Sequence, residues 1–401
     1  DYHHRITSNA LLYGDRINSN TLAYNNRINS NSAAYHARIN SNTLAYNFRI
    51  NSNLVDYIYR ELADLETGGQ GHIYFSRIDD LYQKVRYNSN AILYHAGVID
   101  NHFTVTHTHQ TIANIRFIKQ GFTIEDGNTL HLNTPLRLSG SINLGASAQG
   151  TLHLDGDLTL AQDCYFTAPG FIDGSGHTLN LTGSFVVPAG VAGLTFVGDT
   201  FVYGNGQEVS FAPGACMCID DTVSVTLSHL VLLIDQPTLF TGGGHLTLQD
   251  VVVRLSDDYN KTSGQLFIDG SVCMQGDKAF TVLDDGAVTI NPFATWYFDK
   301  GAALSYAPSS NNRDLIRMHD ATSTLYLDGC SLYSTTTGLR LTSGTLVVDH
   351  KNTIHADGSK LSEAITFGSG QTADDLTIKV MPGACLDVAS GFVHYANGES
   401  D

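Results

Sequence analysis

Two histidines are the residues of this chain whose type and spacing most directly suggest metal chemistry. His107 and His109 stand two residues apart, between Thr104 and Thr111. On a strand, residues i and i+2 point to the same face. If three copies of the chain met here, six imidazoles would surround one axis, a set able to hold a transition metal octahedrally. The alternative is a linker in which both histidines are exposed and no cofactor binds.

Pairs of adjacent acids are the second group with chemical potential. They are Asp220-Asp221, Asp257-Asp258, Asp284-Asp285 and Asp374-Asp375. Two carboxylates on one face can act as acid and base on a glycosidic bond, or can hold calcium. Adjacent residues of a strand point to opposite faces, however, and these pairs stand in turn-like contexts. The pattern favours solvated turn acids, so we expect no catalytic residues and no enzyme activity.

An eleven-residue repeat opens the chain and precedes the segments that carry these candidate residues. The unit reads Arg-Ile-Asn-Ser-Asn-Thr-Leu-Ala-Tyr-Asn-Asn at 16–26 and occurs in five near-copies. Eleven residues per three helical turns is a period that gives a right-handed supercoil. The Ile, Asn and Tyr of each unit fall on one helical stripe. The stripe consists of Ile6, Asn9, Tyr13, Ile17, Asn20, Tyr24, Ile28, Asn31, Tyr35, Ile39, Asn42, Tyr46, Ile50, Asn53 and Tyr57, and resumes with Tyr87, Asn90 and Tyr94.

We expect this stripe to be the oligomerisation seam of a helical stalk or docking arm over residues 1–66. Asn, Ser, Thr and Tyr are mediocre helix formers, so a lone helix of this composition is marginal in water. Association with other copies would bury the Ile and Tyr rows, and Asn in the seam would fix the register. An extended or β-solenoid arm is the alternative, because Asn, Ser and Thr also suit turns and strands.

A transitional region spans residues 67–118. It begins with a Gly-rich break at 66–71, continues with a second short helical segment at roughly 76–101, and ends in the His-rich linker. Gly-rich stretches of this kind are typical of hinges and insertions.

Short alternating triplets dominate residues 119–401, and turn formers such as Asp155-Gly156, Asp269-Gly270 and Asp328-Gly329 separate them. Apolar-polar-apolar triplets indicate very short strands with one buried face. The triplets include 130–132, 136–138, 152–154, 158–160, 179–181, 246–248, 288–290, 325–327 and 376–378. Sandwiches need longer strands, so many three-residue strands favour a parallel β-helix whose rungs stack about 4.8 Å apart. The fold class expected is mostly β, a parallel β-solenoid preceded by the helical repeat stalk.

This texture resembles right-handed parallel β-helix proteins of the pectin-lyase-like type, and with the repeat stalk it is similar to trimeric adhesins and phage tail fibres. Similar phage fibres hold metal with a His-x-His ring, which the resemblance extends to His107 and His109. Gly242-Gly243-Gly244-His245 superficially resembles the Gly-His-Gly of polygalacturonase-like enzymes, but it lacks the following Gly. A tight turn explains that stretch better.

The composition narrows the function classes. A net charge of −17 argues against wrapping nucleic acid, which needs basic stripes. No stretch approaches the roughly 20 apolar residues of a membrane span. The chain starts at Asp1 without Met, which suits a processed, exported polypeptide, so we expect an extracellular or cell-surface location.

These features predict a structural subunit of a self-assembling extracellular fibre, filament or surface appendage, with an adhesive tip as one variant. Its partners would be copies of itself, as a homotrimer or a helical filament, and a host glycan or receptor. The alternatives are a carbohydrate-active β-helix enzyme, either a lyase or a hydrolase, and a non-catalytic glycan- or receptor-binding module. For the enzyme, Trp296 between Thr295 and Tyr297 is the one obvious sugar platform, although a buried core position fits that aromatic cluster better.

Overall fold

Short parallel strands stack into a β-solenoid of about 12 turns. The computed structural model describes residues 98–396 except 114, 134, 191–192, 285, 336, 357–363, 370 and 372–374. Parallel β-solenoid architecture, expected from the triplets, is therefore confirmed for the described chain. The repeat stalk at 1–66, all of its seam residues and residues 67–97 of the transitional region lie outside the described residues.

Each turn contributes one strand to each of three faces, which we number in chain order. Face 1 consists of β1 (Val98–Ile99), β4 (Phe117–Ile118), β7 (Leu136–Leu138), β10 (Leu158–Leu160), β13 (Thr178–Leu181), β16 (Thr200–Tyr203), β19 (Ser224–Ser228), β26 (Ala287–Ile290), β29 (Ile316–Met318), β32 (Arg340–Leu341), β35 (Ile365–Phe367) and β38 (Val393–Tyr395). Face 2 consists of β2 (Phe103–Val105), β5 (Gly121–Ile124), β8 (Ser141–Asn143), β11 (Tyr165–Ala168), β14 (Phe185–Val187), β17 (Glu208–Phe211), β20 (Val231–Ile234), β27 (Thr295–Phe298), β30 (Thr324–Asp328), β33 (Thr345–Asp349) and β36 (Thr377–Val380).

Face 3 completes each turn. It consists of β3 (His109–Ile112), β6 (Thr129–Leu132), β9 (Thr151–Leu154), β12 (Phe171–Asp173), β15 (Leu194–Gly198), β18 (Met217–Ile219), β21 (Phe240–Thr241), β23 (Tyr259–Lys261), β25 (Ala279–Val282), β28 (Ala303–Tyr306), β31 (Ser331–Ser334), β34 (Lys351–Ala356) and β37 (Cys385–Ser390). Two longer strands, β22 (His245–Leu255) and β24 (Gln265–Gly276), run from face 1 onto face 2 without a break.

Inward side chains of successive turns lie in register and form a continuous core. On face 1 one inward row has no more than 7% exposure at any position. It consists of Leu136, Leu158, Leu179, Val202, Leu227, Leu248, Ile268, Ile290 and Met318. Burying each aliphatic side chain contributes about 1.5–3 kcal/mol before chain entropy is subtracted. The row is the direct product of the alternating triplets.

An aromatic column fills the core between faces 2 and 3 towards the C-terminal half. Ring centroids are 5.1 Å apart for Tyr259 and Phe280, 5.4 Å for Phe280 and Trp296, and 4.8 Å for Trp296 and Phe298. Trp296 is fully buried and its indole N–H has no hydrogen-bond partner among the described residues. This tryptophan therefore lies in the core and is not an exposed sugar platform.

One lysine points into the same core. Lys261 is 3% exposed and lines a small apolar cavity with Phe240, Tyr259 and Phe280. Its ammonium donates to the carbonyl of Ser263, and burial lowers the pKa of Lys261 to about 8. A charge that burial disfavours to this extent is a liability for the fold.

Three details differ from the sequence expectations. The described strands start at Val98, so the stretch from 98 to 118 carries solenoid strands upstream of the expected start at 119 and at the end of the expected helical segment. Asp269-Gly270 does not end a strand, because Gly270 turns the corner inside β24 with a φ of +55°. In the triplet at 376–378, Ile378 is 37% exposed, since no later described turn covers it.

Glycines at some corners permit close approach of neighbouring turns. A Cβ on Gly121 would lie 1.8 Å from the carbonyl oxygen of Ser141 in the next turn, whereas one on Gly127 would meet nothing within 4 Å. The two residues have nearly the same φ, +76° and +77°. The strain of a left-handed backbone is therefore common to both, and only the inter-turn contact differs.

We expect Gly121→Ala to lower the free energy of unfolding by about 1–3 kcal/mol more than Gly127→Ala, because only the first adds a backbone overlap. Urea denaturation of both variants followed by circular dichroism measures the difference. Equal losses would show that the turns can shift apart without cost.

Candidate functional site

A row of histidine and aspartate side chains crosses the outer surface of face 3 near the N-terminal end of the described solenoid. Strand pairing sets His131 of β6 opposite His153 of β9, and His153 opposite Asp173 of β12. The leucines on either side of both histidines are buried, so the imidazoles point outward. Two Leu-His-Leu triplets one turn apart thus become neighbours in space.

Asp155, in the turn after β9, joins the two imidazoles. Its carboxylate oxygens lie 3.1 Å from Nε2 of His153 and 3.5 Å from Nδ1 of His131. The two rings are 4.4 Å apart between centroids. One donor atom from each of the three residues lies within 4.8 Å of the others. We name His131, His153 and Asp155 the His-Asp cluster.

Asp173 holds the second nitrogen of His153. Its Oδ2 lies 2.8 Å from Nδ1 of the ring, and its Oδ1 accepts from the backbone N–H and the hydroxyl of Ser175 at 3.1 and 3.0 Å. The aspartate is therefore fixed on one side and orients the imidazole on the other. Sequence reasoning missed this arrangement, although the 22-residue separation of the two Leu-His-Leu triplets was a usable signal.

The two histidines of the predicted metal ring occupy different local settings. β3 begins at His109, whereas His107 lies in the preceding turn with its Nδ1 3.1 Å from Oγ1 of Thr106. His109 extends the histidine row, since its ring centroid is 5.9 Å from that of His131. Both side chains are exposed. A metal ring on a threefold axis stays a prediction.

A second cluster combines Asp328, Asp349 and His350 at the corner after face 2. Nδ1 of His350 lies 2.5 Å from Oδ1 of Asp328. Tyrosines of neighbouring turns already use the carboxylates, because the hydroxyl of Tyr297 donates to Asp328 and that of Tyr326 donates to Asp349 at 2.7 Å. The bond to Asp349 raises the pKa of Tyr326 to about 12. These acids serve as acceptors for the outer tyrosine pair.

Several aspartates accept backbone N–H groups from the following turn, and we name them the inter-turn aspartates. In every case the amide lies 21 to 26 residues after the acid. Among the described residues they are Asp126, Asp157, Asp199, Asp221, Asp250, Asp258 and Asp284. The predicted acid pairs at 220–221, 257–258 and 284–285 each supply one member. In the structure these three acids brace one turn against the next.

At two of these aspartates, Asp126 and Asp284, the hydrogen bonds stabilise the ionised form. At Asp284 the hydroxyl of Ser309 and the amide of Ser310 hold the carboxyl pKa well below its ordinary value. At Asp126 desolvation opposes ionisation, but the bonds from Ser147 and Gln149 together lower the pKa. Because the folded state holds these protons less tightly than the unfolded state, acid should favour unfolding.

We therefore expect the solenoid to keep its full stability above the unfolded-state carboxyl pKa of about 4 and to lose stability as the pH falls through the lower folded-state values. Urea midpoints measured between about pH 6 and about pH 3 test this linkage. Asp126→Asn is the control, because its amide oxygen still accepts hydrogen bonds but does not titrate, so its acid loss should be smaller. A flat profile in the unmodified chain would contradict the expectation.

An open groove on face 1 gathers mixed polar groups. It encloses about 770 Å³ and its lining includes Arg116, Arg137, Asp157, Thr159 and Asn180. Strand pairing continues the row formed by Arg137, Thr159 and Asn180 to Tyr203. Two aromatic side chains of β16 are thus displayed beside the groove, Phe201 at 49% and Tyr203 at 37% exposure.

The chain shows no significant similarity to any family model, curated protein or solved structure with which it was compared. The strand pairing alone defines the class of the chain, which is a parallel β-solenoid with tandem repeats. Within the described residues no helix is long and apolar enough to cross a membrane.

Proposed function

We propose that the chain is a structural subunit of a self-assembling extracellular fibre or surface appendage. In this proposal the solenoid is a rigid shaft or head and residues 1–66 are the stalk or docking arm. Copies of the same chain are its main partners. The observation that carries the proposal is the use of seven of the chain's 39 acidic side chains as inter-turn braces that hold a rod together.

The geometry of the solenoid supports this reading. About 12 turns at about 4.8 Å each give a rod about 6 nm long, in which each turn contacts its neighbours only. A rod of stacked turns transmits load along its axis and presents long, regular outer faces. Such a body suits a mechanical or display role better than it suits one enclosed reaction centre.

The seam of the repeat offers a sharp test of self-assembly. Placing Asp at Ile17, Ile28 and Ile39 puts three charges on the predicted stripe, which should reduce the assembly to monomers because buried unpaired charges are costly. The matched control places Asp at Ser19, Ser30 and Ser41, which lie off the stripe. Light scattering and negative-stain electron microscopy of the full-length proteins measure the mass and the form of the particles.

The unmodified chain and the serine control are expected to form multimers of defined mass or filaments, and the isoleucine variant monomers. A monodisperse monomer for the unmodified chain would sink the proposal. Equal assembly of all three proteins would support the fibre proposal but would show that the repeat seam does not drive assembly.

Glycan binding on face 1 is a second candidate, favoured by the groove beside Phe201 and Tyr203. Aromatic faces and Arg or Asn side chains are groups that recognise sugars and their carboxylates. Binding of acidic and neutral polysaccharides to the chain and to an Arg137→Ala variant tests this function. Release of new reducing ends or unsaturated products in the same incubations would instead support the carbohydrate-active enzyme.

A further inference from the structure

We propose that His131, His153 and Asp155 form a binding site for one divalent transition-metal ion, with Zn²⁺ as its typical occupant. This site is separate from the predicted ring of His107 and His109, and it needs only one copy of the chain. It also stands independently of the fibre proposal.

The donor set has the chemistry of such an ion. Imidazole nitrogens and a carboxylate oxygen are ordinary ligands of Zn²⁺, at about 2.0–2.2 Å from the metal. The three donor atoms already lie within 4.8 Å of one another, so small side-chain rotations bring them to coordination distance. Calcium prefers six to eight oxygen ligands, which a site with two imidazoles does not supply.

His153 has an acidic oxygen beside each of its ring nitrogens. The carboxylate of Asp173 only accepts, so Nδ1 of His153 carries a proton. In the neutral ring, Nε2 then has a lone pair that faces an acidic oxygen of Asp155 at 3.1 Å. Two acceptors at this distance repel unless a second ring proton or a metal ion lies between them. Nδ1 of His131 faces the same carboxylate, so one metal ion at this point would contact all three donors.

The hydrogen bonds around His153 also match those that commonly support the ligands of a metal site. A ligating imidazole almost always donates its other N–H to a carboxylate or carbonyl, which fixes the ring and raises its basicity. Asp173 does this for His153, and Ser175 in turn anchors Asp173. The side chains of His131, His153 and Asp155 are 27%, 20% and 36% exposed, so an ion can enter from solvent and water can complete its shell.

The cluster at Asp328, Asp349 and His350 is a weaker candidate and serves as a comparison. Tyrosine hydroxyls already occupy both of its carboxylates, and it contributes one imidazole only. The ligands of the His-Asp cluster likewise come from two successive turns, but they include two imidazoles. An ion there would tie the turn of β6 to the turn of β9 and act as a structural clip.

Titration of the metal-stripped full-length chain with Zn²⁺, followed by calorimetry, tests the site. The unmodified chain is expected to bind one ion more than His131→Ala or His153→Ala, and Zn²⁺ should raise the melting temperature of the unmodified chain more than that of either variant. Asp173→Asn should keep the stoichiometry but weaken binding about 10–100-fold, because it removes only the orienting carboxylate. Circular dichroism establishes that each variant is folded.

Two controls separate this site from other histidines. His177→Ala removes a half-exposed imidazole that lies 3.8 Å from Asp157 and should leave binding unchanged. The double variant His107→Ala/His109→Ala tests the predicted ring and should retain the ion at the His-Asp cluster. Co²⁺ as a spectroscopic probe should give visible bands that disappear in His153→Ala. Equal Zn²⁺ stoichiometry and affinity in the unmodified chain and in both cluster variants would overturn the proposal.

Discussion

Replacing Trp296 with alanine is expected to lower the free energy of unfolding by about 3–5 kcal/mol, because the change leaves a large cavity in the core. The indole is fully buried and contacts the rings of Phe280 and Phe298 in the aromatic column. Neighbouring turns pair through β27 on both sides, so they cannot move inward freely to fill the space. Urea denaturation followed by far-ultraviolet circular dichroism measures the loss.

Trp296→Phe is the control for this substitution. It retains an aromatic ring and removes an indole N–H that has no partner among the described residues, an unsatisfied group that itself costs about 1–3 kcal/mol when buried. We expect its loss to be less than half that of the alanine variant. Since the chain contains one tryptophan, its fluorescence in the unmodified chain should be that of a dry, apolar site. Emission of a solvent-exposed indole from the folded chain would contradict the placement of Trp296.

Replacing Lys261 with methionine is expected to stabilise the fold by about 3 kcal/mol at neutral pH, because one pKa unit corresponds to about 1.4 kcal/mol. Burial lowers the pKa of Lys261 from 10.5 to about 8. Below that range the unmodified chain must keep a buried ammonium whose acceptor is the Ser263 carbonyl. Methionine has a similar length, no charge and a flexible apolar body that suits the neighbouring cavity.

The stability gained by Lys261→Met should depend on pH in a defined direction. Between about pH 8 and about pH 10.5 the unfolded lysine binds a proton that the folded one has released, so the unmodified chain gains stability as the pH rises. The advantage of Lys261→Met should therefore be constant below about pH 8 and shrink to nearly nothing by about pH 10.5. Lys300→Met, at an exposed position, is the control and should have little effect at any pH. A destabilised Lys261→Met variant would show that the ammonium has an essential partner.

The stacking of short strands was predictable because each triplet by itself indicates a short strand with one buried face. Leu-x-Leu between turn formers buries one face wherever it stands, and Leu136 and Leu158 lie on one inward row as expected. Turn lengths were not predictable, since paired residues such as Val288 and Ile316 are separated by a longer excursion than Leu136 and Leu158 are. Asp269-Gly270 shows the limit at one site, because a dipeptide that favours a turn can also carry a strand around a corner.

Side-chain convergence across turns was only partly predictable from the sequence, for a related reason. His131 and His153 become neighbours only when the register of β6 and β9 is known. Asp155 and Asp173 then contribute from a turn and from a third strand, at separations that no local motif encodes. Lys261 is the opposite case: its charge suggests a surface position, but the inward phase of β23 overrides that preference.

The inter-turn aspartates also give the rod a polarity. In each described case the carboxylate belongs to the earlier turn and the amide to the later one. Across a plane drawn between two such turns, these bonds therefore place the carboxylate acceptors on the side of the earlier turn and the amide donors on the side of the later one. Two rods meeting head-to-tail could repeat this internal contact across their joint, whereas two identical ends would place acceptor against acceptor or donor against donor. The chemistry that holds one rod together would thus dictate the direction in which rods can be joined end to end.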